Sequence, residues 1–105
     1  MMKPDAELVN TEELAHCLQD GGIDITHDEV LSWLRSRGYL ISDMGERRNS
    51  PSDLCLHLGL MEQQRSISEG GGGSVVLVLR TMLTRKGWEY IYPRIEKYLR
   101  QRDEP

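Results

Sequence analysis

Phenylalanine is absent from this 105-residue chain, cysteine occurs only twice, and no apolar run exceeds the five residues Val75 to Leu79. Such a run falls far below the roughly 20 residues that cross a bilayer, and the opening Met1-Met2-Lys3-Pro4-Asp5 has no apolar stretch of the signal-peptide kind. A cytoplasmic protein without membrane contact is expected. Cys17 and Cys55 stand far apart with no Cys-x-x-Cys pairing, so both read as small buried apolar residues rather than as a disulfide framework. Cys55 and His57, even with His16 or His27, match no usual tetrahedral zinc spacing. No metal or cofactor is expected. Catalytic signatures are missing too: the histidines are dispersed, there is no nucleophile elbow, and Gly70 to Gly73 is not followed by the Lys-Ser/Thr of a phosphate-cradling loop. The chain reads as non-enzymatic, with no small-molecule substrate.

What is present suffices for one small core, with 38% hydrophobic residues. A single domain over residues 1–105 is expected. The net charge of -4 disfavours phosphate binding, which relies on lysine and arginine to release counterions. Its distribution is uneven, however. Residues 1–30 hold eight acids against one base, whereas residues 31–102 hold twelve bases against seven acids. An acidic head and a basic body leave room for one face suited to nucleic acid, although solvated faces give the same pattern.

Capping signals and periodicity divide the chain further. Asn10 with Glu13 opens a first helix whose apolar stripe is Leu14, Cys17 and Leu18, closed by Gly21-Gly22. Thr26 with Glu29 caps a second, with Ile25 placed to staple Val30, and Gly38 stops it. Tyr39 to Ile41 reads as a short extended segment, followed by a polar loop. Ser50 as cap and Pro51 at the first helical position predict a third, short helix over 50–59. Residues 60–67 and 75–83 read as strands of a long hairpin around the glycine run. Thr84 caps a final helix over 84–101, on which Trp88, Ile91, Tyr92, Ile95 and Leu99 share one face and Pro93 predicts a kink or division. The fold class is α+β: a winged helix-turn-helix-like order with the helix-turn-helix over 8–38, a wing over 60–83 and a C-terminal helix.

Several segments then resemble one family. Thr11-Glu12-Glu13-Leu14-Ala15, Ile23-Asp24-Ile25, Trp33 to Ile41 (WLRSRGYLI), Asn49-Ser50-Pro51, Leu58-Gly59-Leu60-Met61-Glu62 and Leu83 to Trp88 (LTRKGW) resemble, in this order, the KilAC domain of phage antirepressors. The resemblance implies a DNA-binding domain of a phage or prophage transcription regulator, usually attached behind a separate antirepressor domain. It departs from the family in the apolar second strand of the wing.

For duplex DNA, the candidate contacts on and after the second helix are His27, Ser32, Arg35, Ser36 and Arg37, where arginine suits guanine and serine suits phosphate. Arg47 and Arg48 follow, near Ser50 and Ser52. Arg65 and Arg80 are candidates for a wing clamp, which Arg85 and Lys86 extend. A solvated helix face and ordinary capping explain the same residues. The alternative function is a protein-interaction module: Val76 and Val78 lie on a strand too apolar for a solvated wing, which suits a repressor partner or self-association.

Overall fold

The computed structural model describes residues 8–45 and 47–102. Several acids that set the charge asymmetry (Asp5, Glu7, Glu46, Asp103 and Glu104) lie outside the described residues, as does Lys3. Among the described residues the architecture is α+β, with four helices and a three-stranded antiparallel sheet: β1 (Leu8–Asn10), α1 (Thr11–Asp20), α2 (His27–Ser36), α3 (Asp53–His57), β2 (Met61–Glu69), β3 (Val75–Thr84) and α4 (Arg85–Arg102). No helix is long and apolar enough to cross a membrane among the described residues.

The two leading helices start where their capping residues require. The Asn10 side chain accepts the Glu13 backbone N–H at 2.8 Å, and Thr26 Oγ1 accepts that of Glu29 at 3.2 Å while donating to the Glu29 carboxylate. Both bonds satisfy donors that a helix start leaves orphaned. Gly38 follows α2 with φ +77°, a left-handed conformation that lets the Tyr39 N–H return to the Leu34 carbonyl.

β1 stands where the sequence predicts the start of the helix-turn-helix: residues 8–10 pair antiparallel with β3, Val9 opposite Leu83 and Asn10 opposite Met82. A three-residue strand has no periodicity to detect; it exists because the root of β3 offers an open edge. The third helix also begins later than expected. Ser52, not Ser50, caps it, through the Cys55 N–H, and Pro51 forms an isolated bridge with Leu40. That bridge, with Ile41 N–H bonded to the Ser50 carbonyl, closes the polar loop 42–49 into a small ring. α4 runs unbroken through Pro93, which sits on its exposed side, where its ring meets solvent and not the core.

β2 and β3 pair from Met61↔Leu83 to Glu69↔Val75; β2 runs two residues further toward the tip than the sequence predicts, and β3 one residue further at the root. The sheet order is β1-β3-β2, and β1 covers β3 only at Met82 to Thr84. Beyond that root the hairpin stands alone, with both outer edges unpaired and its tip turned through Gly71–Gly73. The core lies at the root: Leu14, Leu18, Leu34, Leu83, Ile91, Ile95 and Leu99 from the helices and sheet are almost fully buried.

Candidate nucleic-acid interface

Three of the five candidates on and after α2 are occupied within the molecule. His27 Nε2 lies 2.7 Å from Thr11 Oγ1, tying the start of α2 to the start of α1. Ser36 Oγ donates to the Trp33 carbonyl of its own helix at 2.7 Å. Arg35, half-buried, donates from Nη1 to Asn49 Oδ1 at 2.6 Å, and the Asn49 carbonyl accepts from Thr81 Oγ1 at 2.6 Å. Asn49 adopts φ +65°, a left-handed conformation that asparagine tolerates better than most residues. The chain Arg35–Asn49–Thr81 thereby joins α2, the polar loop and β3. Arg35→Ala is expected to lower stability by about 1 to 2 kcal/mol, the scale of a hydrogen bond from a charged donor. Urea denaturation measures it; an unchanged midpoint would refute the structural assignment.

The remaining two candidates are exposed. Ser32 lines a groove between α2 and α4 with Glu29, Tyr98 and Arg102. Arg37 sits over the rings of Trp33 and Tyr98, its guanidinium carbon 5.5 and 5.9 Å from their centroids, and shares a second groove with Tyr39, Arg94 and Lys97. Neither aromatic residue is a free stacking platform, since Trp33 is buried and Arg37 covers both. The acidic Asp28 and Glu29 occupy the first turn of α2, and Glu29 also pairs with Arg102 at 3.4 Å.

Around the hairpin the cations are freer. Arg48 closes its loop by donating to the Ser42 carbonyl at 2.7 Å, but Arg47 is exposed. Ser50 accepts a bond from Gln63, and Ser52 is used as the α3 cap. Arg65 and Arg80 do not form a clamp. Arg65 lies opposite Leu79 and Arg80 opposite Gln64 in the register, and side chains alternate along a strand, so the two arginines project from opposite faces. On the first face, Leu79 shares a depression with Arg47, Ser50, Leu56 and Gln63. On the second, Arg80 shares its face with Thr84 and Glu62, which line a depression with Arg85 and Lys86.

Val76 is exposed and Val78 half-buried, both on the second face. The more apolar face is the first, carrying Ile67, Val75, Leu77 and Leu79. These residues were missed individually, although strict alternation of Val75 to Leu79 already assigns odd and even positions to different faces. Among the described residues no three histidine, cysteine or acidic side chains gather as metal ligands. Burial pushes the Cys17 and Cys55 thiols above their ordinary range, the opposite of what an activated nucleophile requires.

The matching family model is described as the Phage antirepressor protein KilAC domain, and it covers residues 5–98. The chain belongs to the KilAC domain family. No curated protein and no solved structure matches it. The KilAC motif residues now acquire physical roles: Asn49 is the left-handed hinge that Arg35 grips, and Thr84 caps α4 by accepting the Gly87 N–H at 3.0 Å while donating to the Gly59 carbonyl at 2.6 Å. Asn49 and Thr84 therefore tie the hairpin to the helices.

Proposed function

We propose that this KilAC domain is the DNA-contacting part of an antirepressor-like transcription regulator, with α1 and α2 as the helix-turn-helix and the β2–β3 hairpin as its wing. The observation that carries the reading is the position of five exposed cations along one hairpin: Arg85 and Lys86 adjoin its root, Arg80 and Arg65 project from its opposite faces midway along it, and Arg47 lies beside Leu79. Cations pointing both ways from a β-ribbon can meet the two phosphate backbones that border a groove, and the major groove admits a two-stranded ribbon. The reading gives α2 a smaller part than its sequence suggests, because Arg35, Ser36 and His27 already have partners and its first turn is acidic.

Phosphate-led binding has a quantitative signature. Duplex affinity is expected to fall linearly with salt on a log–log scale, and replacing Arg80, Arg85 and Lys86 with alanine should reduce that slope by roughly 0.9 for each phosphate no longer neutralised. Fluorescence anisotropy on a labelled random duplex at several salt concentrations measures both. Salt-independent binding, or a slope that the triple variant leaves untouched, rejects the proposal.

A second reading has its own support. Val75, Val76, Leu77 and Leu79, exposed on the free part of the hairpin, favour a protein contact, either with a repressor or with another copy.

A further inference from the structure

The exposed apolar residues of the hairpin are arranged, not scattered. On the face of Arg65, the register runs from the middle of the hairpin to its tip as Arg65 opposite Leu79, Ile67 opposite Leu77, and Glu69 opposite Val75. Ile67 is 74% exposed, Val75 67% and Leu77 58%. Arg47 adds a second cation beside Arg65, in the depression that contains Leu79. The outer half of this face thus carries positive charge midway along the hairpin, an apolar row beyond it, and negative charge at the tip.

We infer that this face is the contact surface of a two-fold dimer, in which a second copy of the chain packs its hairpin antiparallel against the first. The inference rests on the protein-contact reading of the hairpin. A two-fold interface uses one patch twice, so the patch must complement itself when reversed. Reversal about an axis through the Ile67–Leu77 row does this. It sets Ile67 and Leu77 against their own copies, Leu79 against Val75 of the second copy, and Arg65 against Glu69 of the second copy. Facing sheets pack about 10 Å apart, within reach of an arginine and a glutamate extended toward each other. The apolar area removed from water is the driving term, and the charges set the antiparallel orientation. The opposite face lacks this symmetry, since Arg80, Gln64, Ser66 and Ser68 alternate there with Val78 and Val76.

The arrangement also links assembly to DNA. A dimer hides Arg65 and leaves Arg80, Arg85 and Lys86 uncovered on the other face, so the two activities share one cation and are otherwise separable.

Sedimentation equilibrium of the full chain, up to about 1 mM, tests the inference. A concentration-dependent dimer is expected. Leu77→Lys, Arg65→Glu and Glu69→Arg should each raise its dissociation constant about tenfold or more, and the charge swap Arg65→Glu with Glu69→Arg should restore most of the loss. All three positions are exposed, so circular dichroism melts should match the parent. Replacing Arg80, Arg85 and Lys86 should leave dimerisation intact, and Leu77→Lys should keep salt-dependent DNA binding. A parent that stays monomeric overturns the dimer and assigns the face to a different protein. A dimer that survives Leu77→Lys, or a swap that fails to restore, overturns the proposed packing.

Discussion

Gly87→Ala is expected to destabilise the domain by about 3 kcal/mol or more, at the upper end of what overpacking costs. Helix propensity alone predicts the reverse sign, because alanine is favoured over glycine in a helix by about 1 kcal/mol. Sterics decide the outcome. A Cβ built on Gly87 would lie 1.7 Å from the Leu60 carbonyl oxygen, 2.7 Å from its carbon and 3.1 Å from its Cα. These are backbone atoms, which cannot swing aside as a side chain would. The Leu60 carbonyl also accepts the Thr84 N–H at 3.1 Å, and Thr84 in turn holds Gly59 and Gly87. Moving the first turn of α4 away would break that joint, and with it the seat of Trp88, which is buried and stacks on Tyr92 at 4.7 Å. Gly71→Ala is the control, since nothing lies within 4 Å of a Cβ there. Urea titrations compare the two. A Gly87→Ala midpoint close to that of Gly71→Ala would contradict the packing described.

Leu83→Ala should cost about 2 to 5 kcal/mol, the range for removing most of a core leucine without full collapse of the cavity. Leu83 is fully buried and stands in the middle strand, opposite Val9 of β1 on one side and Met61 of β2 on the other, both buried. One side chain therefore fills the place where all three strands meet the helices. The same substitution at Leu77, exposed on the free hairpin, should change the stability of the monomer by less than about 0.5 kcal/mol. Thermal melts at low protein concentration discriminate the two positions. Equal effects would mean that the core does not centre on the sheet root.

How much of this was legible beforehand depended on the range of the interactions. Asn10 with Glu13, and Thr26 with Glu29, are partners three residues apart, and their caps formed as the spacing predicts. The stripe Trp88, Ile91, Tyr92, Ile95 and Leu99 is likewise local, and all five are buried. Ser50 and Ser52 show where local rules become ambiguous. Either could cap α3, and the choice fell to Ser52 because the Ser50 carbonyl and Pro51 were engaged by Ile41 and Leu40. The candidate DNA-binding residues failed to stay together for the same reason. Nothing near Arg35 in sequence announces Asn49, and the face on which an arginine leaves a hairpin requires the register of both strands.

By itself the sequence determined four helices, a long hairpin, the apolar stripe of the last helix and membership of the KilAC family, because caps, alternation and motif order act over a few residues. The third strand, the close seat of Gly87 on Leu60, the capture of His27 by Thr11 and of Arg35 by Asn49, and the division of the hairpin cations between two faces came only with the tertiary structure. Those outcomes depend on which distant groups fold close enough to exclude water and exchange hydrogen bonds, a condition no short window of sequence contains.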